Sequence, residues 1–595
     1  MNSILICITF FVKCVFSQTT DNIYYVVLKN NVTRVDTTFY TAIEKENFFG
    51  LYSESIEEEI TINGNKIISS HTIFASIRDE ETNISDLYEK YKVYKMNKKL
   101  IIQIPKLYVN VSKIEELLVK DSRFEYVFVE PYSFTTTFEK EPVVVNDPLQ
   151  YSQYYLNNIN AYTAWNRATG LGSHIFMIDD GIELSHPDFD SDKISVDDTN
   201  TDDPDGNYHG THCAGVIIAN TNNSIGIASI AHNYYSITVR GGVGTVGVNV
   251  NQYLFDDAVK VEDNLVMTNS WGYPVFSKQY NSNHIYEELV TLRDGKGALV
   301  VFAAGNNRFR LSANHGMHTS QPLTIVVGAV DSNNKVTDFS NTGSSLTLSA
   351  PGKEIASTMR SEYYYLSGTS MACPMVSAAI ALLLEIRPDL TSRDVKKLLM
   401  VSASKPAYGG FNTNGGGFQF SEFIGAGVLD IEKLLVMAPN WVLLRNQSSK
   451  KYETDLKTQN LADGGILEYS FNVTDIYSVE HVQVEVAMDH QWNRDFTIKV
   501  VSPYKTKSIL SEAFRPDIEF VENDETYTYY GFDAKYGGYT HINMRASYLS
   551  NAFWDENSYG VWNVEIEDVY HNNYEGNVYE VSLIINGVNE SLYGN

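Results

Sequence analysis

The spacing of apolar positions changes along the chain, and each change predicts a different kind of element. An apolar run from Ile4 to Val12 opens the sequence and gives way to Ser17 and Gln18. It is too short to cross a bilayer and predicts a secretory signal peptide over 1–18. Over 19–145, strand-like stretches (YYVVLKN, LIIQIPKLYVNV, FEYVFVEP) accompany a charged helical one, ISDLYEKYKVYK, which predicts a small α+β unit. From Leu156 to Met437 the apolar runs HIFMID, NLVMTNSW, ALVVFAAGN and LTIVVGAV alternate with helical segments such as VSAAIALLLEI. Such alternation predicts a parallel sheet covered by helices on both faces, here over 146–438. Pro439 breaks the pattern, and over 440–595 short strands (VEHVQVEVAM, FTIKVVSP, GVWNVEIED, YEVSLIING) between Gly, Asn and Asp turns predict an all-β sandwich.

Composition narrows the possible functions. With 45 Lys+Arg against 73 Asp+Glu the net charge is −28, so phosphate backbones and anionic lipid would be repelled and nucleic acid is not an expected partner. The final segment, 441–595, carries 24 acidic and 11 basic residues and so holds 13 of that excess. There are four cysteines, two of them (Cys7 and Cys14) in the opening segment, which excludes a disulfide scaffold. The remaining pair, Cys213 and Cys373, read as buried small hydrophobes.

Three stretches of the middle region are hard to explain by folding alone. Ile175 to Gly181 is an apolar strand that ends in Asp179, Asp180 and a glycine. In an open parallel sheet, sites form beyond the carboxyl ends of strands, although Asp-Gly is also an ordinary turn. His209-Gly-Thr-His-Cys-Ala-Gly215 opens a helix whose small residues at 210, 214 and 215 permit close packing, with His209 in the first turn. Taken alone it also suits a solvated helix cap with His212 on the surface. Gly368-Thr-Ser370-Met-Ala-Cys-Pro374 places a serine at the start of a long apolar helix, where unpaired amides favour a developing oxyanion. The plain alternative is N-capping by Thr369 or Ser370.

Read together, these stretches supply Asp, His and Ser in that order. Serine needs a neighbouring base to act as a nucleophile, and the imidazole needs a carboxylate to hold its tautomer. In IDDGIELSHPDF, HGTHCAG, FAAGN and GTSMACP the sequence resembles the subtilisin-like serine proteases. The resemblance implies that Asp179 orients, His209 is general base and acid, Ser370 is the nucleophile, and Asn306 donates to the oxyanion. An esterase elbow would need G-x-S-x-G and the order Ser…Asp…His, and neither is present.

The tandem Asp179-Asp180, the cysteine of HGTHCAG, the VSASKP segment and the trailing sandwich resemble the kexin/furin branch. The implied architecture is an α/β subtilisin-like parallel-sheet catalytic domain with an N-terminal α+β propeptide and a C-terminal all-β sandwich, the P domain. The implied function is a serine endopeptidase made as a secreted zymogen, a monomer whose partners are a protein or peptide substrate and its own propeptide. The implied substrate-binding residues are Asp180, Ser270, Trp271 and Gly272, with Asp180 available to a basic P2 residue. The implied cofactor is calcium, held by Asp147, Asp188, Asn223 and the Ile225 carbonyl, a ligand set of the right oxygen chemistry. The cluster Asp197, Asp198, Asp202, Asp203 and Asp205 reads as a solvated loop.

One departure bears on specificity. Kexin-type proteases prefer paired basic residues, read by acidic pocket residues. After Ser270-Trp271-Gly272 this chain continues YPVFSKQY without an acid, and His315 falls near the second acidic position. P1 is therefore not expected to be strictly Arg or Lys. Sequons at Asn31, Asn83, Asn110, Asn222, Asn446, Asn472 and Asn589 permit glycosylation on the secretory route. A second reading remains open: a binding protein that keeps the fold without turnover.

Overall fold

The computed structural model describes residues 143–196, 207–243, 265–272, 283–307, 312–454, 457–475, 477–491, 495–513, 542–571 and 573–589, together with the backbone of nine strands before residue 130 and of a hairpin within 519–528. Residues Lys140–Pro439 with Leu443–Asn595 form one compact unit, and Met1–Glu139 with Asn440–Val442 form another.

In the first unit Lys92–Met96, Lys99–Gln103, Thr72–Ile77 and Phe124–Val129 pair antiparallel in that order. Leu5–Ile6 and Val12–Phe16, within the segment expected to be a signal peptide, pair antiparallel as well. The helix expected over ISDLYEKYKVYK gives way to strand at Lys92. Val93 and Tyr94 are good strand formers and face Ile102 and Ile101 across the pair, so pairing overrides the helical pattern there. The Asp197–Asp205 cluster lies outside the described residues.

The larger unit is built on a seven-stranded parallel sheet. Its strands are β1 (His174–Ile178), β2 (Ile194–Val196), β3 (Ser236–Arg240), β4 (Leu265–Asn269), β5 (Leu299–Ala303), β6 (Ile325–Val330) and β7 (Leu348–Pro351). Their order is β2-β3-β1-β4-β5-β6-β7. β4, β5 and β6 are buried at every position, as expected of strands covered on both faces. From β1 the chain goes to β2 at one edge, returns through β3 beside β1, and then runs outward from β4 to β7 on the other side, so the end of β1 is the switch point where ligands of open α/β sheets bind.

Helix α1 (His209–Ile218) packs on the antiparallel hairpin of β8 (Ile355–Met359) and β9 (Glu362–Leu366) and on α2 (Thr369–Ile386). α2 lies against β4, β5, β6 and β7, buried over almost its whole length. α3 (Ser392–Ser402) follows, started by a capping box between Thr391 and Asp394.

Beyond it two antiparallel sheets form the sandwich. One contains β10 (Ser448–Glu453), β11 (Gln459–Leu461), β13 (Tyr477–His490), β16 (Ile542–Ser550) and β18 (Gly576–Asn589). The other contains β12 (Ile466–Val473), β14 (Phe496–Val501), β15 (Lys507–Ser511) and β17 (Gly560–Asp568). On β17 Trp562, Val564 and Ile566 alternate inward and meet Phe553, Trp554 and Val484. Met400, Phe418 and Phe420, from before the expected boundary at Pro439, belong to the same core.

Candidate active site

β1 ends at Ile178, and the next residue, Asp179, is 2% exposed at the switch point. Its Oδ1 lies 2.6 Å from His209 Nδ1 and also accepts the Asp180 amide at 2.9 Å. The Nδ1 proton is therefore engaged, and Nε2 is left as the acceptor face of a neutral ring. Burial pulls the His209 pKa down, but the charge of Asp179 and its hydrogen bond outweigh this and hold it well above the ordinary value.

His209 begins α1, as the sequence predicts. Asp180, expected to meet substrate, turns under that first turn: its oxygens accept from His209 N at 3.1 Å and Gly210 N at 2.6 Å, an anchor for the helix that presents the imidazole. A Cβ on Gly210 would come within 2.1 Å of the Gly181 carbonyl, so only glycine fits here. His212 departs from the surface expectation. It is fully buried, with Nε2 at 3.0 Å from the Ile355 carbonyl, because α1 is covered on all sides; burial pushes its pKa down to about 4.

α2 starts at Thr369 after Gly368, an N-cap residue with no side chain of its own to cap it. Ser370 is its second residue. Pro374, four residues on, has no N–H to offer the Ser370 carbonyl. That carbonyl is taken instead by Ser270 Oγ at 2.8 Å and Cys213 Sγ at 3.4 Å. The Ser370 hydroxyl donates to the Ser270 carbonyl at 3.0 Å. Cys213 Sγ is also 3.9 Å from His209 Nδ1, so His209 and the Ser370 turn border one buried thiol. Cys213 and Cys373 are free and buried, and burial pushes the Cys373 thiol up to about 12.

Asn306 follows β5. Its Oδ1 accepts both the Thr369 amide and the Thr369 hydroxyl at 2.9 Å, which leaves the amide nitrogen as the donor end. Asn341, which the sequence did not single out, binds the same loop from behind: its Oδ1 accepts Asn307 N at 2.7 Å and its Nδ2 donates to Ala304 O at 2.9 Å. Asn306 and Ser370 line one cavity of about 220 Å³ with Ser270, Trp271 and Gly272. His315 lies in its wall, with Nδ1 accepting Ser312 N at 3.2 Å and Nε2 at 3.0 Å from Ser511 Oγ of the sandwich.

Away from the cavity, Asp147 and Asp188 are 1% and 0% exposed and grip one loop. Asp147 accepts Asn222 N and Asn223 N at 2.9 and 3.1 Å, while Asp188 accepts Asn223 Nδ2 at 2.7 Å and Ile227 N at 3.1 Å. Burial, with the field of Asp147, pushes the Asp188 pKa up to about 6. Two buried carboxylates around one loop carry the charge that a hard divalent cation takes, while in this structure their oxygens are met by backbone amides and by Asn223 Nδ2.

Residues 170–427 match the subtilase family and residues 479–585 match the proprotein convertase P-domain. Furin-1 of Xenopus laevis is 30% identical over 487 residues, covering 74% of this chain and 58% of that protein. Human proprotein convertase subtilisin/kexin type 4 is 27% identical, covering 76% of this chain and 62% of that protein. The chain thus spans about three fifths of the length of these curated relatives. Among solved structures, the serine protease of Aeromonas sobria in complex with its chaperone superposes with a TM-score of 0.67 at 22% identity, covering 76% of this chain and 97% of that one. A second structure of that protease gives 0.64. The chain thus carries a subtilase domain over 170–427 joined to a proprotein convertase P domain over 479–585.

Proposed function

We propose that the protein is a serine endopeptidase that cleaves peptide bonds through an acyl-enzyme. Ser370 attacks the scissile carbonyl, His209 takes its proton and later gives it to the leaving amine, and Asp179 holds the imidazole tautomer and stabilises the imidazolium. Rotation about the Ser370 Cα–Cβ bond moves the hydroxyl from the Ser270 carbonyl to the imidazole. Asn306 Nδ2 donates to the oxyanion, together with an amide at the start of α2. The observation that carries this reading is the 2.6 Å contact between buried Asp179 and His209, set beside a serine at the head of the apolar helix α2. The alternative, a silent binding protein, predicts no reaction at Ser370. A fluorophosphonate probe decides between them: labelling that disappears in Ser370→Ala supports the peptidase, and absence of labelling in the activated parent protein sinks it.

The segment 19–145 is the propeptide of this zymogen, after a signal peptide at 1–18 that sends the chain along the secretory route. Calcium is held by Asp147, Asp188, Asn223 and the Ile225 carbonyl, where it supplies the charge that two buried carboxylates require. Its role is structural, so chelation lowers the melting temperature and added calcium restores it. A melt indifferent to chelator would remove calcium from the proposal.

A further inference from the structure

The cavity beside Ser370 carries information about substrate that the triad does not. Its inner wall is Trp271, Phe302, Met317 and His318. The His318 ring stacks on Phe302 with centroids 4.9 Å apart and planes 8° from parallel, and Trp271 meets both edge-on at 5.2 and 5.3 Å. His318 Nδ1 is 3.0 Å from the Tyr286 hydroxyl, and burial pushes its pKa down to about 3, so this histidine is a neutral flat ring in the stack. Among the described lining residues none is acidic. A volume of about 220 Å³ exceeds the roughly 150 Å³ of an apolar cavity that admits benzene.

We propose that this cavity is the P1 pocket and that it selects a neutral apolar side chain, aromatic or long aliphatic, immediately before the scissile bond. The proposal rests on the reading of Ser370 as the nucleophile. A P1 arginine or lysine would leave water for an aromatic wall whose described lining offers no carboxylate to meet it. The attraction of a cation to ring faces is smaller than the hydration it would lose. Phenylalanine, leucine or methionine gives up little hydration on entry and gains contact with an apolar, aromatic-lined wall.

The test uses the activated full-length chain, with competent Ser370 counted by fluorophosphonate titration, and quenched peptides that differ only at P1. Turnover after Phe, Leu and Met is expected to exceed that after Arg and Lys by at least about 100-fold. Equal cleavage, or cleavage favouring the basic residues, overturns the proposal. Binding to Ser370→Ala separates this from the question of catalysis. Product-like peptides ending in Phe should displace a fluorescent peptide about tenfold better than those ending in Arg, and the reverse order overturns the pocket assignment even in a protein without turnover. If the Phe order holds while the parent protein resists labelling, the peptidase reading fails and the pocket assignment survives. Gly272→Asp offers a converse check, since a Cβ at Gly272 meets nothing within 4 Å among the described residues. That variant should raise Arg cleavage relative to Phe by about tenfold or more, and an unchanged ratio counts against the pocket.

Discussion

The parallel sheet and the sandwich treat their polar groups in opposite ways. In the sheet they gather at the carboxyl ends of strands. Asp179 follows β1, Ser270 follows β4 and Asn306 follows β5, while two helices bring His209 and Ser370 to the same edge. In the sandwich the apolar residues face inward, and charge lies outside, as where Lys451 sits 2.9 and 3.0 Å from Glu453 and Glu485. Other polar groups of the sandwich are turned toward the sheet domain. Asn551 donates to the Ser345 and Leu346 carbonyls at 2.9 and 3.1 Å. Asn314 exchanges bonds of 2.7 and 2.9 Å with the Leu549 backbone, and Lys397 meets Asp555 at 2.6 Å above the Trp554 ring. One region therefore holds reactive groups in place, and the other holds the loops that hold them.

This division can be broken from either side. Asp179→Asn should cost about 10⁴ in turnover with little change in melting temperature. It should also move the acidic limb of the pH profile. With Asp179 present the limb lies above 6.5, because the raised His209 pKa keeps the ring protonated at lower pH; without that charge the lowering effect of burial is opposed by Cys213 alone and the limb shifts toward acid. A limb that stays put would remove Asp179 from control of the base. Asn306→Ala should lower kcat by about 10²–10³ at nearly constant KM; a rise in KM alone would make it a binding residue. Asn551→Ala, by leaving two buried carbonyls unpaired, should cost about 1–3 kcal/mol in denaturant unfolding while kcat per folded molecule is kept. If instead kcat falls and stability does not, the sandwich takes part in the chemistry and the division fails.

Much of the sheet domain was legible because its signals are local. The run from Ile175 to Ile178 followed by Asp179, and the small residues around His209, follow from strand and helix packing: a Cβ on Gly215 would lie 2.1 Å from Thr358 Oγ1 on β8. What could not be read depends on partners distant in sequence. His212 looks like a surface residue until β8 and β9 close over it. Asn341 looks like any turn asparagine until it binds the Asn306 loop. The helical pattern near Lys92 yielded to a pairing that only the neighbouring strand reveals. Asp180 has the charge of a substrate contact, yet its geometry is that of a helix anchor.

The proline six residues into α2 has a mechanical consequence. A helix ordinarily fixes its own opening turn through its internal ladder, but here one rung is missing and the vacant oxygen is fastened by Ser270 and Cys213. The turn that carries Ser370 takes its orientation from the end of β4 and from the helix that bears His209. Any displacement of those two supports is transmitted directly to the Ser370 hydroxyl, so its position is a collective property of three segments lying far apart in the sequence.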